Sequence, residues 1–256
     1  MTAAAELLGL AESALWTGFL VFVRVATTVS LLPAFGEQSV PMRVKLAVAL
    51  AFTVIVAPAV ELSATDRSIG ALALYTMTET VAGLLIGLGL RLFILALQTA
   101  GAIAAQSTSL SQILGGAAIE PLPAIGYILT IGALALATIS GLHVKAAELM
   151  ILSYDMLPFG LFSPGADVAQ WGTAQVSQAF ALAFTLSAPF ILMSVIYNLT
   201  LGVINKAMPQ LMVAFVGAPV ITMGGLLILF LAAPTILGVW LQSLDGFMSN
   251  PLGSAR

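Results

Sequence analysis

Charged residues are so sparse along this chain that the gaps between them mark out its elements. Two charge-free runs, 168–205 and 207–244, are each 38 residues long. As one straight helix, each would extend about 57 Å at 1.5 Å per residue, nearly twice the roughly 30 Å hydrocarbon core of a bilayer. The pattern therefore predicts a bent helical hairpin or a pair of short helices in each run. The expected kinks or ends fall at Pro189 in the first and at Pro209, Pro219 and Pro234 in the second. Joining the shorter apolar runs across single charges predicts six helical segments, at about 14–35, 44–60, 69–106, 124–153, 168–204 and 210–244. The stretches between them, such as GEQSVPMR at 36–43 and MLPFGLFSPGAD at 156–167, carry the Gly, Pro and Ser of connectors. No alternation of polar and apolar residues suggests membrane strands, so the predicted class is all-α, of integral-membrane type.

Composition excludes most other classes. A soluble chain of 256 residues would carry about 64 charges; this one carries eight basic and eleven acidic residues, with 60% hydrophobic residues and no cysteine. That is too few to cover a soluble surface. A net charge of −3 offers no footprint for nucleic acid. The chain reads as a membrane protein, or as one that lives inside a membrane-associated assembly. No Lys or Arg precedes Arg24, so a cleavable signal peptide is not expected. The basic residues are spread too thinly to fix topology.

The inventory for catalysis is thin. His143 is the only histidine, and HVKAAE at 143–148 lacks the spacing of a zinc-binding HExxH. No dinucleotide or phosphate-loop glycine pattern occurs, so neither an enzyme nor a cofactor is expected. Arg24, Glu79 and Arg91 sit within apolar stretches, where a charge is costly and faces a partner or an aqueous cavity. A buried pair among these three is expected, either as a structural tie or in a direct functional role. Lys145 and Glu148 are three apart on one helical face and are placed to neutralise each other. Small residues recur at packing intervals, with Gly83 and Gly87, then Ala96, Ala100 and Ala104, which predicts that segment 69–106 packs against protein.

The most unusual stretch is AAQSTSLSQILGGAAIEPLP at 104–123. Gln106, Ser107, Thr108, Ser109, Ser111 and Gln112 put uncharged polar groups into an apolar region, and Gly115, Gly116 and Pro121 then break the helix. Two readings stand: an ordinary interfacial loop, or a re-entrant element lining a cavity.

Three motifs in order carry a resemblance. VRVATTVSLLPAFGEQSVPMRVKLAVAL at 23–50 includes a connector motif of Pro41, Arg43 and Lys45; SGLHVKAAELMILSYDMLPFG spans 140–160; GVINKAMPQLMVAFVGAPVITMGGLL spans 202–227. Together they resemble the FliR family of flagellar export proteins and its injectisome counterparts, called SctT. The resemblance implies a non-enzymatic core subunit of the type III secretion export gate in the bacterial inner membrane, at the flagellar basal body. The implied fold is a FliP-like unit, about 1–160, fused to a FliQ-like unit, about 161–256, built of kinked helical hairpins. The implied partners are FliP-like, FliQ-like and FlhB-like subunits, membrane lipid and unfolded export substrates.

In that family the loop after the third helical segment plugs the channel. The matching positions are about 106–122, from Gln106 through Ser109, Leu110, Ser111, Gln112, Ile113 and Leu114 to Gly115, Gly116 and Pro121. Here the chain departs from the family, with Ala102 where an acidic residue is common, Gly-Gly-Ala-Ala where Asp-Pro is common, and Ser140 where asparagine is common. Lys206, Pro209 and Gln210 match a partner-facing turn. The alternatives are an injectisome gate subunit, or an independent secondary transporter with a site near Arg24, Glu79 and Arg91. The 23–50 and 202–227 stretches favour the flagellar version.

Overall fold

A computed structural model describes residues 2–60, 62, 67–109, 124–208 and 213–251. The described residues form seven α-helices: α1 Thr2–Leu31, α2 Met42–Val56, α3 Ile69–Ser109, α4 Ala124–Ile139, α5 Leu142–Met156, α6 Gly165–Ala207 and α7 Val213–Ser249. A short 3-10 turn, Ala57–Ala59, follows α2. Among the described residues there is no strand, and the class is all-α.

Two expectations about helix ends are corrected. The long apolar runs are neither hairpins nor paired short helices: α6 continues through Pro189 over 43 residues, and α7 continues through Pro219 and Pro234 over 37. A proline inside a helix costs about 3 kcal/mol and one hydrogen bond. Ending a helix in apolar surroundings strands up to four carbonyls and four N–H groups, at several kcal/mol each. Continuing is the cheaper course. Conversely, the single segment expected at 124–153 is two helices, α4 and α5, which meet at a bend of 76°. Gly141, the N-cap of α5, has φ +82°. An added Cβ there would meet nothing within 4 Å, so the left-handed backbone conformation, rather than space, calls for glycine.

The helices divide into two compact units, each built from separated stretches: Met1–Leu92, Thr138–Gln175 and Asp245–Arg256 in the first, Phe93–Ala137 and Val176–Leu244 in the second. In the first unit α1 buries Leu20, Val21, Arg24, Val25, Thr28 and Val29, a stripe at spacings of three and four, with Leu32 buried just past its end. Gly83 and Gly87 of α3 lie against it: an added Cβ would come 2.5 Å from the Arg24 carbonyl oxygen and 2.9 Å from Leu31 respectively. In the second unit, Gly101 of α3 touches Gly126 of α4, backbone on backbone, beside the buried Ala100, Ala104, Leu129 and Ala133.

Among the described residues five helical stretches are long and apolar enough to cross a membrane: Ala11–Leu31, Met42–Ala59, Ile69–Ser107, Gly165–Ala207 and Pro219–Ser249. The bent α4–α5 pair passes the same test as one broken span. Within their most apolar windows 56% of α3 is buried by the chain, against 22–33% in the other four. The small-residue spacing of α3 therefore marks a helix wrapped in protein, while its neighbours leave most of their apolar surface uncovered.

Candidate functional site

The chemistry of the first unit converges on Arg24, which is 1% exposed in the C-terminal half of α1. Its guanidinium has five N–H donors, and all five are used. Nε and Nη2 grip the Glu79 carboxylate, with 2.7 Å to Oε2 and 2.9 Å to Oε1. The second Nη2 proton goes to the Leu157 carbonyl at 2.9 Å, and Nη1 reaches the Ser153 carbonyl at 3.1 Å and its Oγ at 3.2 Å. The ring of Tyr154 lies 3.7 Å from the guanidinium carbon, a cation–π contact in a desolvated place. Glu79 is itself fully buried.

Three helices meet here for local reasons. The apolar stripe of α1 turns Arg24 inward, and Gly83, one turn beyond Glu79, lets the α3 backbone close on it. At the end of α5 Arg24 reaches the Ser153 carbonyl, which also accepts the Leu157 N–H at 2.8 Å, and the carbonyl of the C-cap Leu157; a cation is favoured at that negative end of the dipole. Arg24 thus caps α5 while neutralising α3. A buried pair breaks even against desolvation only when its remaining hydrogen bonds are made, and here every remaining Arg24 donor has a partner.

Of the three embedded charges, Arg24 and Glu79 come together and Arg91 does not join them. Arg91 donates from Nη1 to Glu37 Oε1 at 2.6 Å, with both side chains about one-fifth exposed. That pair ties α3 to the corner between α1 and α2. At the same corner Lys45 Nζ donates to the Gly36 carbonyl at 2.9 Å, and Ala34 holds φ +69°. Pro41 is the N-cap of α2, and both it and Arg43 are exposed. Lys145 does not pair with Glu148 along α5; its Nζ donates to Asp245 Oδ1 at 2.7 Å, near the end of α7. His143 is exposed in the first turn of α5.

The second unit has a smaller polar node at the end of α3. Ser194 Oγ of α6 donates to the Ser107 carbonyl at 2.7 Å, and Asn198 Nδ2 donates to Ser194 Oγ at 3.2 Å and to its carbonyl at 2.8 Å. Ser107 and Ser194 are buried and Gln106 is exposed. Thr108 and Ser109 complete α3. Leu110, Ser111, Gln112, Ile113, Leu114, Gly115, Gly116 and Pro121 lie outside the described residues, as do Pro209 and Gln210. Lys206 is exposed in the last turn of α6.

Reading the chain alone missed Glu37, Ser153, Asp245, Ser194 and Asn198. Glu37 was masked by its place in a connector, and Asp245 by its distance of 100 residues from Lys145. Ser194 and Asn198 carried a usable signal: two polar residues four apart inside a charge-free run. Among the described residues no three His, Asp or Glu side chains gather as a metal site.

Comparison with known proteins adds a consistent result. Residues 15–247 match the model of the family described as bacterial export proteins, family 1. The chain is 33% identical over 225 residues to the flagellar biosynthetic protein FliR of Caulobacter vibrioides, covering 86% of this chain and 90% of that one. It is 28% identical to proteins of the same name from Escherichia coli, over 85% of this chain and 84% of the relative, and from Aquifex aeolicus, over 88% of each.

Proposed function

The chain belongs to the bacterial export proteins, family 1, and from that premise we propose that it is a core structural subunit of the flagellar type III export gate, helping to form and plug a channel for unfolded substrates. Its relatives are flagellar export proteins, and its apolar helices suit the bacterial inner membrane at the flagellar basal body. The proposed role is non-enzymatic, and the proposed partners are FliP-like, FliQ-like and FlhB-like subunits. The division into a FliP-like part, about 1–160, and a FliQ-like part, about 161–256, belongs to the same proposal.

The observation that carries the reading is the length and bareness of α6 and α7. At 43 and 37 residues they extend about 65 and 56 Å, against a bilayer core of roughly 30 Å. Only 28% and 22% of their spanning windows are buried by the chain itself. Lipid can cover about half of such a length, and the remaining apolar surface calls for sister subunits. The transporter alternative, with a site near Arg24, Glu79 and Arg91, is less favoured: every Arg24 donor is already taken, Glu79 is sealed, and Arg91 pairs with Glu37 instead.

The plug assignment rests on residues 106–122. Shortening that stretch within 110–122 is expected to raise the leak of ions or small molecules through the assembled gate. An assembled variant that leaks no more than the parent would remove the plug from the proposal.

A further inference from the structure

Hydroxyls in these long apolar helices satisfy themselves at home. Thr76 donates to Leu72, Thr130 to Gly126, Thr185 to Ala181, Thr200 to Ile196 and Ser243 to Val239, each to the carbonyl four residues back. Ser194 departs from that habit. Its Oγ leaves α6 and donates to the Ser107 carbonyl of α3, 87 residues away, at 2.7 Å. Ser107 lies in α3, whose described residues run to Ser109. Asn198 fixes the direction of the bond. Its Nδ2 donates to Ser194 Oγ, which occupies that oxygen as an acceptor and leaves its proton for α3. The Ser107 hydroxyl is engaged separately, on the Ala104 carbonyl at 2.8 Å.

We propose that Ser194 and Asn198 are positioning residues for α3 at Ser107, holding in place the first residues of the 106–122 stretch. The functional weight of this rests on the plug reading above, while the positioning itself does not. With Ser194 and Ser107 only 3% and 8% exposed, water does not make good the loss of this donor, so the hold of α6 on Ser107 is expected to loosen.

The chain has no cysteine, so one introduced at Gln106 reports on α3 beside Ser107 without background. In the assembled complex, Ser194→Ala in the Gln106→Cys chain is expected to raise the maleimide labelling rate about five-fold, the equivalent of one ordinary hydrogen bond. Ser194→Thr, which keeps a hydroxyl, is expected to stay near the parental rate. Thr185→Ala, whose hydroxyl serves its own helix, is expected to change nothing. If Ser194→Ala does not assemble, Asn198→Ala takes its place, with a smaller rise expected. Labelling unchanged in an assembled Ser194→Ala or Asn198→Ala complex would overturn the proposal, as would an equal rise in Ser194→Thr. Leak is measured separately, without the Gln106 substitution. A rise in leak in Ser194→Ala supports the functional weight. If deletion within 110–122 leaks and Ser194→Ala does not, the functional weight is overturned and the plug stands. If neither leaks, the plug reading falls, and labelling still decides the positioning.

Discussion

Arg24 and Glu79 meet edge to edge in a two-bond grip, 55 residues apart in the chain and with 1% and 0% of their side chains exposed. Removing one partner strands a charge that has no route to water. Glu79→Ala is therefore expected to cost about 3–5 kcal/mol, read as a lower melting temperature and poorer recovery of the assembled complex. The double change Arg24→Met, Glu79→Leu is expected to recover part of that loss.

Arg24→Lys tests the cap rather than the charge. An ammonium has three donors and no planar fork, whereas Arg24 serves five acceptors on Glu79, Ser153 and Leu157. The lysine variant is expected to be clearly less stable than the parent, despite its conserved charge. Hydrogen exchange in the last turn of α5 is the second readout, expected to quicken.

The ion pairs divide by exposure. Arg67 and Glu12 pair with 45% and 68% of their side chains in the open, so Glu12→Gln is expected to change stability by about 0–1 kcal/mol. Glu37→Gln, which loosens the half-buried partner of Arg91, is expected to cost more. Thermal melting of the two variants side by side checks the order.

Glycines separate by what stands next to them. A Cβ on Gly101 would fall 2.1 Å from the Gly126 Cα, backbone that cannot give way cheaply, while Gly18 meets nothing within 4 Å. Gly101→Ala is expected to cost about 1–3 kcal/mol. Gly18→Ala, in the interior of α1, is expected to gain about 0.5–1 kcal/mol.

Two positions of positive φ should respond in opposite directions. Gly141→Ala places a side chain at φ +82° and is expected to cost about 1–2 kcal/mol. Ala34→Gly relieves a residue at φ +69° and is expected to be neutral or mildly stabilising. Denaturation midpoints of the two variants test the pair.

What the chain disclosed by itself follows from the range over which each signal acts. Hydropathy is local and strong, so the helical class and the start of α3 at Ile69 were legible from the spacing of charges alone. The break at Gly141 was not, because one left-handed glycine leaves an apolar run apolar. Continuity through Pro189, Pro219 and Pro234 was missed for the opposite reason: the proline is visible, while the backbone bonds that outweigh it are not. The site divides likewise. Arg24 and Glu79 stood out as charges in apolar surroundings, but the reassignment of Arg91 to Glu37 and of Lys145 to Asp245 depends on tertiary neighbours. The Ser194 bond to Ser107 is invisible to composition, since its partner is a backbone carbonyl.

The division of each unit among separated stretches has a consequence for biosynthesis. The first unit includes the earliest residues, yet it lacks its final piece until Asp245 has been made, and Lys145 waits 100 residues for its counter-charge. The second unit needs 93–137 and then a return at 176–244. Neither can close on a growing chain by local contacts, and long-range closure is slow and leaves apolar faces open meanwhile. During translation the Arg24–Glu79–α5 hub, whose last member is Leu157, is complete well before either unit. Arg67–Glu12 and Arg91–Glu37 are made sooner, but each joins two stretches, whereas this hub draws in a third.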